Sequence, residues 1–232
     1  VATARADDGF TPAQTKALER IVHDYLVKHP EVLMEAMQAA DDKAKADKQA
    51  NVGQAVRAHH DDLYRDPDAQ VGGNPNGDVT IVEFFDTRCP YCRRMEPAMT
   101  QLLAADHDVK LVYKDLPILG PASLLGSKAL LAAQRQGGYD KLREAVMQLP
   151  PDTTLPMIQA AAVHLGLDWP KLQRDMDAPA VQQQIDGNLK LARALDIEGT
   201  PALVIGDQLV PGALDFADLQ KAVAAARAEA KR

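Results

Sequence analysis

The sequence predicts an α/β protein in which a β-α-β unit, a helical block over residues 121–197 and a closing β-β-α unit follow a helical arm. Three observations predict this order. Two apolar runs rich in β-branched and aromatic residues, Val79–Phe85 and Val109–Leu116, bracket a segment of helical periodicity. Two more short runs, Pro201–Ile205 and Gln208–Val210, flank Gly206-Asp207 and read as a β-hairpin. Between these pairs the apolar spacing is helical. Composition agrees with a folded chain of one or two domains. Of 232 residues, 46% are apolar and 25% charged, which excludes wholesale disorder and fibrous classes. A net charge of −7 argues against a nucleic-acid partner held on a broad basic surface. Apolar stretches reach about five residues, as in Ala129–Ala133, against the ~20 that a membrane-spanning helix needs.

Taken in order, residues 1–10 hold Ala4-Arg5-Ala6, which fits the small-x-small site at the end of a secretory signal. The expectation is a signal ending near Ala6 and an oxidising, extracytoplasmic compartment; the plain alternative is an alanine-rich terminus. The arm, residues 11–50, starts at Thr11, which can cap a helix with Pro12 at the first position and Gln14 closing a capping box. Leu18, Ile21, Val22, Tyr25 and Leu26 recur at helical spacing, Pro30 stops that helix and opens another, and Leu33, Ala36, Met37 and Ala40 keep the period. Residues 41–50 are mostly charge and alanine, a solvated helical extension or linker. The stripe needs a cover, either its own domain or another copy of the chain. Residues 61–78, with Gly72-Gly73-Asn74-Pro75-Asn76-Gly77, read as a loop. Residues 51–120 would form the first part of the sheet domain and residues 198–232 its second part. The strands at Val79 and Val109 sit either side of a helix from about Pro90 to Ala105, which implies parallel pairing. The final helix runs from about Phe216 to Ala228. Trp169 beside Pro170 reads as a helix-start packing residue. His23, His29, His59, His60, His107 and His164 show no ligand spacing.

The chain has two cysteines, Cys89 and Cys92. A disulfide closing so short a loop contributes roughly 2 kcal/mol in the chain-entropy model, against ~4.7 for a 100-residue loop. The pair therefore looks chemical rather than structural. Pro90 at the first helical position makes Cys89 the N-cap, where its sulfur can accept from the N–H groups of Tyr91 and Cys92. Those donors, the helix dipole and Arg88, Arg93 and Arg94 all favour a thiolate. Cys92 lies one turn further in and faces the core. An exposed attacking thiol beside a buried resolving one is what disulfide exchange requires. A c-type haem site would need His at 93, which is Arg, and a structural zinc would need four ligands. Cu(I) could use the two thiolates, so a copper-binding role stays open.

Glu83 sits mid-strand and by alternation points to the face opposite Val82 and Phe84. Either that face is exposed, or Glu83 is a partly buried carboxylate that exchanges a proton with Cys92. Thr200-Pro201 opens a strand, and the ordinary expectation there is a trans bond.

The run Glu83-Phe84-Phe85, followed by Cys89-Pro90-Tyr91-Cys92, the helical insert and the later Thr200-Pro201 together resemble the thioredoxin superfamily, in its DsbA-like periplasmic branch. The stretch Lys114–Ser123 also resembles that branch. The arm over residues 22–39 resembles the suppressor-of-copper-sensitivity C (ScsC) group. The resemblance implies a thioredoxin fold with an inserted helical domain. It makes Cys89 the attacking and Cys92 the resolving cysteine, Glu83 the buried acid and Pro201 a cis-proline facing the cysteines. Thr200 would pair its backbone with substrate, with Pro90 and Tyr91 also against it, and Pro97 would kink the helix. It further implies a periplasmic thiol–disulfide oxidoreductase with a redox-active disulfide and no metal or organic cofactor. Its partners would be unfolded or misoxidised secreted proteins, a membrane redox partner, and copies of itself, as a trimer through residues 11–50. Thr before the cis-proline resembles isomerase and reductase members. Isomerisation is the first expectation; dithiol oxidation, Cu(I) binding and an inert CxxC staple are the alternatives.

Overall fold

The computed structural model describes residues 10–230. The signal expectation falls, but for Phe10, outside the described residues. Two compact units divide the chain at Lys48 and Gln49.

The first unit holds α1 (Pro12–Lys28) and the start of α2 (Pro30–Ala58). The capping box forms as expected: Gln14 N donates to Thr11 Oγ1 at 3.3 Å and Thr11 N to Gln14 Oε1 at 2.9 Å. Residues 41–50 are helical, because alanine and long charged side chains favour a helix without needing a packed face. α1 buries no residue. Its apolar stripe stays open, with Ile21 at 65% and Tyr25 at 52% exposure, and Met34 on α2 at 65%.

The second unit begins with the last turns of α2, where Val52 and Val56 are buried. Residues 61–78 are not simply a loop. They contain α3 (His60–Tyr64, starting just before) and β1 (Gln70–Gly73). β1 pairs antiparallel with β3 (Val109–Asp115) at the sheet edge. Four residues ending in Gly-Gly carry no alternation, so only the neighbouring strand makes them a strand. Gly73 has φ +64°, and a Cβ there would lie 2.6 Å from the Val109 carbonyl oxygen, so glycine is required.

β2 (Val79–Phe85) is the central strand of a sheet ordered β1-β3-β2-β4-β5. It runs parallel to β3 and antiparallel to β4 (Ala202–Ile205), and β4 forms the expected hairpin with β5 (Gln208–Pro211). α4 (Pro90–Ala105) is the crossover between β2 and β3, with Pro97 inside it. Ile81 and Leu111 pack with α4 and with the closing helix α10 (Phe216–Glu229). Val82, Phe84 and Val112 pack on the other face against Val52, Val56 and Leu63.

Between β3 and β4 come α5 (Pro121–Gln134), α6 (Tyr139–Gln148), α7 (Leu155–His164), α8 (Trp169–Met176) and α9 (Pro179–Ala194). They share one apolar cluster with Phe85, Cys89 and Cys92. Trp169 packs at the start of α8, capped by Asp168, whose side chain accepts from Lys171 N. The fold is the thioredoxin-like α/β fold expected, with an additional edge strand. Among the described residues no helix is long and apolar enough to cross a membrane.

α5 approaches the Cys89 loop closely at Gly126, where an added Cβ would lie 2.5 Å from Thr87 Oγ1. Gly126→Leu should therefore destabilise the second unit by about 1–3 kcal/mol, read as a lower urea midpoint. Thr87→Ala in the same chain should recover part of the loss. An unchanged midpoint for Gly126→Leu would show that the two elements can part freely.

Candidate active site

β2 delivers the chain into the loop Asp86-Thr87-Arg88, and Pro90 starts α4. Asp86 is fully buried. Its Oδ1 accepts Arg88 N at 2.8 Å, and its Oδ2 accepts Ile118 N at 2.9 Å and Leu119 N at 3.0 Å. One carboxylate thus joins the loop before Cys89 to the loop after β3.

Cys89 is the N-cap of α4, as expected, but its side chain caps nothing. Its Sγ donates instead to the Thr200 carbonyl oxygen at 3.1 Å. A protonated thiol is a donor and only a weak acceptor, so the carbonyl outcompetes the helix N–H groups. Cys89 is also not exposed: it retains 4% of its surface, because the sulfur lies against Thr200 and inside the apolar cluster of the insert. Pro90 and Tyr91 beside it are exposed. The Thr200–Pro201 peptide is cis, as the family resemblance implies and against the ordinary expectation for the bond. Thr200 therefore meets Cys89, with Pro201 next to it in the chain. Cys92 is wholly buried on α4, and both cysteines are free thiols. Burial holds the Cys92 thiol well above the usual thiol range, and the nearby Cys89 and Glu83 add to this.

The arginines do more than supply positive charge. Arg88 donates to the carbonyls of Leu119 and Pro151. Arg93 donates to Thr87 O at 3.0 Å and 2.7 Å and to Leu149 O at 2.5 Å. Both therefore fasten the α6–α7 loop to the Cys89 loop. Burial and the neighbouring Arg88 charge lower the Arg93 pKa, whereas Asp86, Cys89 and Cys92 raise it. Arg94 lies over the Tyr91 ring, 4.7 Å from its centroid.

Glu83 takes the buried alternative, at 1% exposure, on the face opposite Val82 and Phe84. Its Oε2 accepts from Arg143 Nη2 at 3.3 Å, and Arg143 Nη1 donates to Glu96 Oε1 at 2.6 Å. The Arg143 guanidinium lies 4.6 Å from the Phe85 ring centroid and 4.3 Å from that of Tyr113. Burial pushes the Glu83 carboxyl up to about 7; Arg143 opposes this, and Glu96 and Asp115 reinforce it. Burial also raises Asp115, to about 6, against the bond from Tyr139 Oη to its Oδ2 at 2.6 Å. Arg143, Glu96 and Asp115 were missed in the sequence. A signal for Arg143 exists: it follows Tyr139 by four residues and precedes Val146 by three, so it stands in the buried stripe of α6. Among the described residues, no group of three or more His, Cys, Asp or Glu could hold a metal ion.

A CxxC pair at a strand-to-helix turn, beside a cis-proline bond at the same end of the sheet, is an arrangement suited to thiol–disulfide exchange. The chain belongs to the DSBA-like thioredoxin domain family, which it matches over residues 80–224, and residues 14–46 match the copper resistance protein ScsC N-terminal domain. A thioredoxin-like oxidoreductase from Silicibacter pomeroyi DSS-3 is 46% identical, with TM-score 0.70 over 72% of this chain and 96% of that one. Proteus mirabilis ScsC in a transitional conformation is 33% identical, with TM-score 0.71 over 95% of this chain and all (100%) of that one. The thiol-disulfide exchange protein alpha-DsbA2 from Wolbachia pipientis is 28% identical, with TM-score 0.71 over 76% of this chain and 96% of that one. Among curated proteins, the Na(+)/H(+) antiporter NhaA 3 of Salinispora tropica is 27% identical over 169 residues, 72% of this chain and 26% of that protein. The chain spans about a quarter of the length of the curated relatives it matches.

Glu83 has a consequence for stability. Its folded value lies above the ordinary 4.5, so the folded state holds the proton more tightly than the unfolded one. Its stabilising effect is full below 4.5 and is lost as pH rises through about 7. Glu83→Gln removes that loss. The variant should gain stability relative to the parent as pH rises across this window, measured by urea midpoints of the reduced proteins. A difference independent of pH would mean that Glu83 titrates normally.

Proposed function

We propose that the chain is a periplasmic disulfide isomerase and reductase acting on secreted proteins through Cys89 and Cys92. The observation that carries this reading is the Cys89 sulfur at the Thr200 carbonyl, beside an apolar rim. Tyr91, Ile118 and Leu119 are 53%, 41% and 42% exposed, and Asp86 and Arg88 hold the last two next to the Cys89 loop. An unfolded chain offers what this rim takes: apolar side chains and free backbone groups for Thr200 to pair with in strand-like fashion. Pro90, Tyr91 and Pro201 would line that seat, with Pro90 and Tyr91 exposed beside Cys89.

In the reduced protein, the Cys89 thiolate attacks one sulfur of a substrate disulfide. The substrate S–S bond breaks, a Cys89–substrate disulfide forms, and the other substrate sulfur leaves as a thiolate. In reduction, Cys92 gives its proton to Glu83 and attacks Cys89, forming the Cys89–Cys92 disulfide and freeing the second substrate thiol. In isomerisation, another substrate thiolate attacks the mixed disulfide and expels Cys89, so the protein ends reduced. The raised proton affinities of Cys92 and Glu83 keep Cys92 quiet until it is needed, which gives the substrate time to rearrange. The exposed stripe of α1 and α2, together with the ScsC-like match over residues 14–46, supports self-association through the arm, as a trimer. Reoxidation or re-reduction would fall to a membrane redox partner.

The pre-reduced chain should reactivate scrambled ribonuclease, and a chain beginning at Gln49 should lose most of that activity while still reducing a small disulfide. No reactivation by either form would overturn isomerisation, and tight stoichiometric Cu(I) binding without turnover would favour the copper reading. Cys92→Ala should accumulate a substrate-linked species on non-reducing gels, and Cys89→Ser should form none. Equal trapping by both variants would reverse or merge the assigned roles.

A further inference from the structure

The insert reaches the base of the site through Arg143. This residue is 3% exposed, yet its guanidinium must serve several acids. Glu83 from β2 and Glu96 from α4 bind it directly, at 3.3 Å and 2.6 Å. Asp115 ends β3 on the same face of the sheet, since Glu83 registers with Tyr113 and Phe85 with Asp115. Three carboxylates therefore act on one cation; Glu83 and Asp115 are wholly buried, while Glu96 keeps part of its surface. There, charges act on one another far more strongly than at a surface.

The polar bookkeeping is incomplete in an informative way. Glu83 Oε1, Asp115 Oδ1 and Arg143 Nε are buried without a hydrogen-bond partner, while Asp115 Oδ2 takes the Tyr139 hydroxyl. A carboxylate left half-bonded is a poor home for a full negative charge, and two of them near each other are worse. The elements around Glu83 supply known charges. α6 gives Arg143, with Asp140 and Tyr139 beyond it; α4 gives Cys92 and Glu96; β3 gives Tyr113 and Asp115; β4 places the apolar Leu203 opposite. A cavity of about 610 Å³ between α4 and α6 is lined by Glu96, Tyr113, Asp140 and Arg143, so solvent reaches the outer side of the cluster.

We propose that Arg143 and Asp115 are opposed positioning residues that set when Glu83 holds its proton, so that the inserted helices govern proton transfer from Cys92. Arg143 favours the Glu83 carboxylate; the Asp115 charge disfavours it. The two acids titrate as a coupled pair around the single guanidinium. This assignment rests on the reading of Glu83 as the proton acceptor of Cys92.

The test uses the full reduced chain with 13C-labelled carboxyl groups, and Glu83→Gln to identify the Glu83 signal. Asp115→Asn, which keeps an acceptor for Tyr139, should lower the Glu83 proton affinity about tenfold, one pH unit in its midpoint. Arg143→Met should raise it by a larger factor, since Arg143 bonds Glu83 directly, and Arg143→Lys should return it most of the way. The acid limb for release of a glutathione adduct from Cys89 by Cys92 should move in the same opposite directions. A merely structural role would move both variants alike. Glu83 midpoints that stay fixed, or move in one direction in both variants, overturn the proposal. So do opposite midpoints with an unmoved acid limb. If the parent releases no adduct at all, the functional reading fails instead, and the carboxyl midpoints alone decide the electrostatic assignment.

Discussion

The active-site surface depends on the buried Asp86 carboxylate. It accepts three backbone N–H groups, one from the Cys89 loop and two from the loop after β3. A carboxylate so satisfied tolerates burial, and bonds to a charged acceptor are about twice as strong as neutral ones. Without it, Arg88 N and Leu119 N would lose their acceptor, and Ile118 N would keep only its bond to the Leu116 carbonyl. Arg88 and Arg93 extend the same logic outward, since each binds carbonyls from a second loop. The insert is thus held at the site by polar bonds at its rim as well as by the apolar cluster below.

The charged cluster under the cysteines obeys a different balance. Burying a guanidinium is costly unless its hydrogen bonds and charge are both answered. Here two carboxylates answer the charge and two aromatic faces, Phe85 and Tyr113, take the flat sides of the ion. Replacing a buried charged group by apolar side chains of similar volume is often neutral or stabilising. The presence of the group fits a chemical use, because acids held near neutrality can change protonation under working conditions.

Most of the architecture was legible in the sequence because each main element is locally consistent. Val79–Phe85 is dense in β-branched and aromatic residues, Thr11 and Gln14 cap a clear stripe, and Pro90 marks a helix start. β1 was not legible, since Gln70–Gly73 is a strand only through its pairing with β3. At the site, residue types revealed the cysteine pair and its place on the fold. They did not reveal the direction of the Cys89 hydrogen bond, which depends on a carbonyl 111 residues away. Glu83 is ambiguous in the sequence because the cation that covers it comes from α6, 60 residues away. Arg143 was readable in principle, as a charged residue in the apolar stripe of its own helix.

The position of the insert in the chain also shapes how the protein is made. β2, α4 and β3 are contiguous, so the cysteine pair acquires its strand and helix as soon as residues 79–115 are available. The other neighbour of β2 is β4, and residues 121–197 must be synthesised before it exists. Until then the cysteine pair lacks Thr200 and Pro201, and one edge of the central strand is bare. A contact this distant in sequence forms late, because the loop must close before the contact can reward it. During that interval the two thiols stand open to whatever oxidant the compartment holds. Cys89 and Cys92 thus pass through a stage in which they are exposed, before the segment that will cover them is in place.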